Sequence, residues 1–469
     1  MTSRRQVLTL AGAAVVGLAA SACSTDTGGS GGGGGGNASP GPSGSTGGSS
    51  GGSGGGSGNT INVYVSKQAS YPQQQQDWFA RISKAFKAKT GADVKFDIYS
   101  SGSEELQKIQ TSVISGTGPD VYEIGTTFTP TAYSTKAFLT FDDARWGKIG
   151  GRDRFVPATL AMSGPDPQHQ IGVPYSSVPF VMYYNTKMFK AAGISQPPTT
   201  WDELIADAKK LTTGSVHGLG MDYKDNYSPW KYAWMFANQY GNPLIDGSKV
   251  TIDDAAVKKA YQAYFGFLTK DKIVPPEAVN WSGAENLAAF AAGKTAMMTM
   301  ATTGSLPTLA TSPIKSDFAL APMPEIPPGS STAPGGSIPA TSIVSGQNVV
   351  VASYSANQDL ALQYVDLVTS KEEQVNFSKV FGVLPTNSDA ATAIAAADDN
   401  YAPALAAGKK SRPTPFTGAW SQVQLGLVDV VVQSLAALSS GNVPDSALAA
   451  RLSKLQSEAQ AAVAKASKQ

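Results

Sequence analysis

The chain has 469 residues, and its 36 Lys and Arg residues balance 35 Asp and Glu residues to a net charge of +1. Because the charges are so evenly balanced, the composition gives no electrostatic basis for binding nucleic acid or an anionic membrane surface. A single cysteine and two histidines leave the fold without a disulfide framework or a cysteine-ligated metal, so we expect neither metal nor cofactor. The length is sufficient for two lobes.

Residues 1–22 have the layout of an export signal. Arg4 and Arg5 precede an apolar stretch from Val7 to Ala20, which is too short for the roughly 20 residues of a membrane-spanning helix. The small residues before Cys23 resemble a bacterial lipobox, and the paired arginines resemble a twin-arginine signal. We therefore expect a lipid on Cys23 to anchor the protein at the extracellular face of the cytoplasmic membrane. Both the twin-arginine route and the general secretory route stay open for its export.

Residues 23–59 connect this anchor to the rest of the chain. The segment is mostly glycine and serine, which lose much backbone entropy on ordering and offer no side chain to bury. We expect a disordered tether that spans on the order of 30 Å. Beyond it, the composition becomes that of a folded protein.

The first folded segment alternates strand and helix patterns, in the order strand 61–66, helix 77–91, strand 93–100, helix 104–116 and strand 120–125. This alternation is typical of an α/β lobe with a mostly parallel sheet. Loops that leave the carboxyl ends of such strands converge at one edge of the sheet. The segments 67–71, 100–104 and 125–128 are therefore expected to surround a shared crevice.

A second α/β unit begins within residues 171–212. Thr200 and Glu203 have the spacing of a capping box, which predicts a helix start. The apolar residues Trp201, Leu204 and Ala208 then fall on one helical face, which indicates core packing.

Four runs of residues resemble extracellular solute-binding proteins of ABC importers, in the class that includes maltose-binding protein. They span residues 112–125, 178–204, 290–300 and 345–374. The resemblance covers nearly all of the folded region and keeps the order of the motifs.

This resemblance implies an α/β protein with a two-lobed, periplasmic-binding-protein-like type II fold, a hinge and an interlobe cleft. It implies a first lobe of residues 60–174 and 346–382, and a second lobe of residues 175–345 and 383–469. It also implies a monomeric receptor, not an enzyme, that delivers a small solute to ABC permease subunits and binds no nucleic acid.

Sugars present apolar faces and rims of hydroxyls, so their sites combine aromatic rings with carboxylates and amides. The resemblance implies that a loop with Asp225 and Trp230 holds the solute and that Trp420 stacks on it. Core packing remains the alternative for each aromatic residue. The full candidate set is Gln68, Thr126, Thr127, Tyr175, Asp225, Asn226, Tyr227, Trp230, Gly304 and Trp420.

Two segments depart from the maltose-binding pattern. Thr126 and Thr127 stand where that pattern has an aromatic and charged residues, and Ser305 follows Gly304 where an aromatic is usual. These departures favour a smaller sugar, or an oligosaccharide with fewer stacking faces, over a maltodextrin.

Other functions stay open at the level of sequence. A lipid-anchored glycoside hydrolase would need two carboxylates about 5 to 10 Å apart, which acidic loops could supply. A metal receptor of similar fold is suggested by the neighbours Tyr183 and Tyr184, although adjacent strand residues point to opposite faces. A binding protein for a non-sugar solute is the third alternative.

Overall fold

The computed structural model describes residues 59–225 and 228–468. The expected export signal, the expected lipid site at Cys23 and nearly all of the expected tether lie outside the described residues.

The strands of the described part are β1 Thr60–Ser66, β2 Asp93–Tyr99, β3 Val121–Gly125, β4 Val173–Ser177, β5 Val181–Asn185, β6 His217–Gly220, β7 Ile245–Asp246, β8 Lys249–Val250, β9 Thr295–Ala301, β10 Phe318–Ala321, β11 Gly346–Val351 and β12 Leu384–Pro385.

The α-helices of the same part are α1 Pro72–Thr90, α2 Gly102–Ser115, α3 Thr129–Ser134, α4 Asp143–Lys148, α5 Thr186–Ala191, α6 Trp201–Leu211, α7 Pro229–Gln239, α8 Ala255–Thr269, α9 Gly283–Ala291, α10 Leu306–Leu309, α11 Gln358–Val368, α12 Lys371–Phe381, α13 Ser388–Ala397, α14 Ala402–Lys410, α15 Trp420–Val432, α16 Leu435–Ser439 and α17 Asp445–Ala466.

A six-stranded sheet, in the order β12-β4-β11-β3-β1-β2, forms the centre of what we call the first lobe. Successive residues of β1 point to opposite faces of this sheet. Ile61 and Val63 enter one hydrophobic core, and Tyr64 enters another on the opposite face. Burial on both faces explains why β1 is largely apolar.

The expectation of a mostly parallel sheet is wrong for this lobe as a whole. Strand β1 pairs in parallel with β2 and β3, as the alternating pattern predicts. Strands β4, β11 and β12, however, add three antiparallel pairings. These three strands pair with strands from distant parts of the chain, so the local alternation of strand and helix patterns does not predict their pairing.

A four-stranded sheet in the order β10-β5-β9-β6 forms the centre of the second lobe. Met182 of β5 packs in a large core that also receives α6, α7, α8, α15 and α17. Val181 and Tyr183 point to the other face, against α9, α13 and α14. The C-terminal helices therefore contribute mainly to the cores of this lobe.

Local sequence signals fix several of the helices. Helix α1 ends where Gly91 adopts a left-handed conformation with φ 74°, a backbone state that glycine adopts without steric cost. Helix α6 begins with the capping box of Thr200 and Glu203. Trp201 and Leu204 of α6 are fully buried. The predicted helix start and core face of this segment are confirmed.

The chain passes between the two sheets at three places, and these places meet in space. It leaves the first sheet after β4, returns at β11 and leaves again after β12. Ser177, at the end of β4, lies opposite both Gly346 and Leu384. At Gly346 a Cβ atom would lie 1.9 Å from the carbonyl oxygen of Ser176, so only glycine fits this close approach. The three connections therefore cluster at one edge of the first sheet.

Candidate ligand-binding cleft

A cavity of about 440 Å³ lies between the two lobes. The first lobe contributes the segments after β1 and β3, and the second lobe contributes residues of β9, α7 and α9. Residues of the connecting segments, including Ser176, Ser345 and Gly346, line it as well. Movement of one lobe against the other would therefore change the shape of this cavity.

Five of the candidate residues from the sequence line this cavity, namely Gln68, Thr126, Thr127, Trp230 and Gly304. The structure thus brings together residues that lie more than two hundred positions apart along the chain. Asn226 and Tyr227 lie outside the described residues.

The remaining three candidates do not line the cavity. Tyr175 is buried in the first-lobe core, where its ring centroid lies 4.8 Å from that of Phe377. The carboxylate of Asp225 accepts hydrogen bonds from the backbone N–H groups of Ser228, at 2.7 Å, and Gly283, at 3.2 Å. These contacts indicate a structural role for Asp225 in closing its own loop.

Trp420 is fully buried in the second-lobe core at the start of α15. Its ring meets that of Trp230 edge to face, with 5.8 Å between the centroids. Trp230 is therefore the aromatic residue of this pair that lines the cavity, and Trp420 supports it from behind. This placement favours a packing role for Trp420 over the predicted stacking role.

Aromatic rings contribute much of the apolar wall of the cavity. The rings that line it, besides Trp230, are those of Tyr71, Tyr99, Phe128, Phe180, Phe377 and Phe381. Their positions on both lobes provide apolar surface on opposite sides of the space. Such surfaces suit the C–H faces of a sugar ring.

Two buried carboxylates face the cavity from opposite lobes. Glu105, in the first turn of α2, accepts a hydrogen bond of 2.8 Å from the backbone N–H of Gly125. Asp222 follows β6 in the second lobe. Burial raises the pKa of Glu105 to about 8, and burial together with the neighbouring Asp225 raises the pKa of Asp222 to about 8. Both groups can exchange hydrogen bonds with a polar solute.

A third buried carboxylate, Glu123, does not line the cavity but contacts a residue that does. Its Oε1 accepts a hydrogen bond of 3.1 Å from the hydroxyl of Ser66, which lines the cavity. Gln347 also donates to this hydroxyl from β11. Burial raises the pKa of Glu123 to about 8. These hydrogen bonds hold the Ser66 hydroxyl in place at the end of β1, where it forms part of the polar surface of the cavity.

Lys67 and Lys231 are the lysines among the residues that line the cavity. The Lys231 ammonium lies 4.9 Å from the ring centroid of Phe180, a cation–π contact. Burial lowers the pKa of Lys231, although Asp225 and Asp222 oppose that shift. Burial therefore disfavours the charged form of Lys231, and the two acidic neighbours offset only part of this effect.

Tyr71 joins the two lobes directly at the rim of the cavity. Its hydroxyl donates a hydrogen bond of 2.6 Å to the carbonyl oxygen of Gly304 and lies 3.0 Å from the Thr308 hydroxyl. The loop that carries Tyr71 leaves β1, while Gly304 follows β9. This contact positions the predicted crevice loop 67–71 against the second lobe.

Several residues of the cavity escaped the sequence analysis. The predicted loop 100–104 ends one residue before Glu105, which lines the cavity. In the acidic loop after β6, the sequence favours Asp225 as the ligand-binding residue, whereas the structure places Asp222 at the cavity. Asn286 of α9 and Gln424 of α15 also line the cavity. They lie on helices that only the tertiary fold brings to the cleft, so no local motif could identify them.

The tyrosine pair that suggested a metal receptor is divided between two cores, as its place in a strand predicts. Tyr183 donates a hydrogen bond of 2.9 Å to the Thr302 carbonyl oxygen. Tyr184 packs on the opposite face, with its ring 4.8 Å from that of Phe189. Among the described residues, no group of three or more His, Cys, Asp or Glu side chains is arranged to hold a metal ion.

Comparison with known families decides the class of this two-lobed fold. A family model described as bacterial extracellular solute-binding protein matches residues 69–375. The chain belongs to this family. The resemblance seen in the sequence and the expected type II fold are confirmed, and the family consists of solute-binding proteins, not enzymes.

Several known proteins are similar over most of the chain. The diacetylchitobiose binding protein DasA of Streptomyces coelicolor is 28% identical over 375 residues, which are 78% of this chain and 82% of that protein. Maltose-bound MalE3 of T. maritima has a TM-score of 0.71 at 19% identity, covering 85% of this chain and 99% of that chain. A ribitol complex from Agrobacterium radiobacter K84 has a TM-score of 0.70 at 20% identity, covering 86% and 98%.

The buried carboxylates of this solute-binding protein predict a pH-dependent stability. The folded Glu105 keeps its proton to about pH 8, whereas an exposed glutamate loses it near its ordinary pKa of 4.5. The stabilisation from the protonated group is therefore complete below pH 4.5 and is lost as the pH rises through 8. In Glu105→Gln, which keeps the acceptor for Gly125, we expect a melting temperature about 2 °C or more above wild type at pH 9.

Thermal melting of the ligand-free protein from pH 5 to pH 9 measures this effect. Glu277→Gln makes the same change on the exposed surface and serves as the control. If Glu105→Gln and wild type lose stability in parallel across this range, burial of the Glu105 carboxylate is not its cause.

The two tryptophans predict different effects on binding, although both pack in the second-lobe core. Trp230→Ala removes an aromatic surface from the cavity wall and should weaken solute affinity by about 30- to 1000-fold. Trp420→Ala should lower the free energy of unfolding by about 3 to 5 kcal/mol, because it creates a cavity in the second-lobe core. Calorimetric titration and melting of both ligand-free variants separate the effects. If Trp420→Ala loses as much affinity as Trp230→Ala and keeps its stability, Trp420 contacts the solute after all.

Proposed function

We propose that this protein captures an extracellular sugar, either a monosaccharide or an oligosaccharide, in the interlobe cleft and delivers it to an ABC import permease. The observation that carries the proposal is the combination in one cavity of aromatic rings on both walls with the buried carboxylates Glu105 and Asp222. Aromatic rings bind the apolar faces of a sugar, and buried carboxyl groups exchange hydrogen bonds with its hydroxyls.

The similar proteins support the same class of solute. DasA is named for diacetylchitobiose, and the structures of similar fold were solved with maltose and with ribitol. All three ligands are neutral molecules rich in hydroxyl groups. Burial also lowers the pKa of Lys231 in this cavity, which weakens its attraction for an anionic ligand.

The proposal includes closure of the two lobes. We divide the chain into a first lobe of residues 60–174 and 346–382 and a second lobe of residues 175–345 and 383–469, with the hinge at the three connections. Since these connections meet beside Ser177, a few backbone rotations there would move one lobe relative to the other without disturbing either core.

The proposal also includes the membrane anchor. A lipid on Cys23 and a flexible tether would keep a monomeric receptor at the outer face of the cytoplasmic membrane, close to its permease. The support for this part is the sequence of residues 1–59 alone.

A ligand screen tests the proposed function. We expect a sugar from a panel that includes diacetylchitobiose, maltose and ribitol to raise the melting temperature of the purified protein. A ligand that binds only the folded state at 100 times its dissociation constant stabilises it by about 2.7 kcal/mol. No response to any sugar of the panel, with a clear response to an amino acid or to sn-glycerol 3-phosphate, would contradict a sugar receptor.

Replacement of Cys23 tests the anchor separately. In Cys23→Ser, we expect release of the protein from membranes into the soluble fraction, with unchanged affinity for the solute, because the anchor lies outside the folded lobes. Fractionation after a salt wash measures the release. A variant that still sediments with the membranes would contradict lipid attachment at this cysteine.

A further inference from the structure

Lys231 is a polar residue of the second-lobe wall that the sequence analysis did not select. It is half-buried and lines the interlobe cavity. Its Nζ atom lies 4.9 Å from the ring centroid of Phe180, which is 3% exposed and lines the same cavity. The residue therefore keeps accessible surface, and its amino group lies against a ring of the cavity wall.

The amino group of Lys231 has no hydrogen-bond acceptor or ion-pair partner among the described residues. Asp222 and Asp225 are close enough to oppose the fall in its pKa, but neither carboxyl forms an ion pair with it. The Asp225 carboxylate instead accepts hydrogen bonds from the backbone N–H groups of Ser228 and Gly283. An amine donates hydrogen bonds in either protonation state, so Lys231 holds unused donors at the cavity.

The position of Lys231 does not favour the stability of the empty protein. It is the third residue of α7, and the first turn of a helix disfavours a positive charge because of the helix dipole. Burial also lowers its pKa, so the charged form is less stable here than in water. A charged side chain that the fold holds in a cleft under such conditions is a candidate for contact with a ligand.

A donor in this position requires an acceptor from the ligand. Closure of the lobes would exclude water from the cavity, and an amine left there without an acceptor would lose its hydration without compensation. The hydroxyl, ring and carbonyl oxygens of a sugar are such acceptors. A neutral sugar with an oxygen beside the Phe180 ring would therefore complete the hydrogen bonding of Lys231, whereas a purely apolar solute would not.

We propose that Lys231 is a ligand-binding residue whose amino group, held over the Phe180 ring, donates a hydrogen bond to an oxygen of the captured sugar. This proposal rests on the proposed function, since it names a residue that recognises the sugar. Trp230 precedes Lys231 in α7 and lines the same cavity. The first turn of α7 thus supplies both an aromatic surface and a polar donor to the ligand.

Replacement of the amino group separates binding from folding. Lys231→Met keeps an unbranched side chain and removes the amino group. It should weaken binding of the sugar by about 10- to 100-fold, the usual range for one hydrogen bond from a charged donor. Lys231→Arg keeps a cationic donor and should retain more affinity than Lys231→Met. The melting temperature of ligand-free Lys231→Met should stay the same or rise, because a partly buried charge has been removed.

A purely local role is the competing account. If Lys231 serves only to balance Asp222 and Asp225, Lys231→Met lowers the melting temperature of the ligand-free protein and leaves affinity unchanged, which would overturn the proposal. Lys224→Met is the matched control, since Lys224 is exposed and does not line the cavity. It should change neither affinity nor melting temperature.

Calorimetric titration uses the sugar that wild type binds among diacetylchitobiose, maltose and ribitol. If wild type binds a sugar and Lys231→Met binds it with wild-type affinity, the role of Lys231 is wrong and the proposed function stands. If wild type binds none of the three sugars, the proposed function fails and the role of Lys231 fails with it.

Chemical labelling of the wild-type protein tests the same contact without a substitution, and so does not depend on the folding of a variant. Reductive methylation with formaldehyde and cyanoborohydride modifies accessible lysine amines, and mass spectrometry of peptides measures each site. The saturating sugar should suppress labelling of Lys231 and leave labelling of Lys224 unchanged. Equal labelling of Lys231 with and without the sugar would overturn the proposal.

Discussion

The meeting of three chain connections beside Ser177 is the constraint on which the rest of the structure depends. Strands β12, β4 and β11 are neighbours in the first sheet, and each adjoins a connection to the second lobe. Each lobe can therefore keep its own close-packed core, and closely packed cores move as rigid units. The cleft lies beside these connections and takes its walls from both lobes.

The chemistry of the cleft follows from this arrangement. Glu105 reaches the cavity from the first lobe and Asp222 reaches it from the second, and both are almost completely buried. Burial raises the pKa of each carboxyl group to about 8. Such groups lose little hydration free energy when they bind a neutral polar solute, because the protein has already removed them from water during folding.

Sequence reasoning could predict the elements that depend on local signals. The parallel trio β1, β2 and β3, the end of α1 at Gly91 and the capping box of α6 all follow from residues close together in the chain. The antiparallel side of the first sheet could not be predicted in this way, because the strands that pair there are separated by more than a hundred residues along the chain.

Prediction of the candidate site from the sequence has the same limit, because local patterns find residues at strand ends and miss residues that tertiary packing brings to the cavity. Gln68, Thr126 and Thr127 lie in loops at strand ends, and the structure places them at the cavity as the α/β pattern predicts. Sequence alone could not distinguish Trp230 from Trp420, since the two indoles contact each other and only their depth differs. The amides of α9 and α15 depend on helix packing, which no local pattern encodes.

Small-angle X-ray scattering of the purified protein, with and without a saturating sugar, tests the central claim most directly. If the two lobes move about the connections beside Ser177 and close on the solute, the radius of gyration falls when the sugar binds. An unchanged radius of gyration, with binding verified by calorimetry on the same sample, would contradict the account and indicate a rigid pocket.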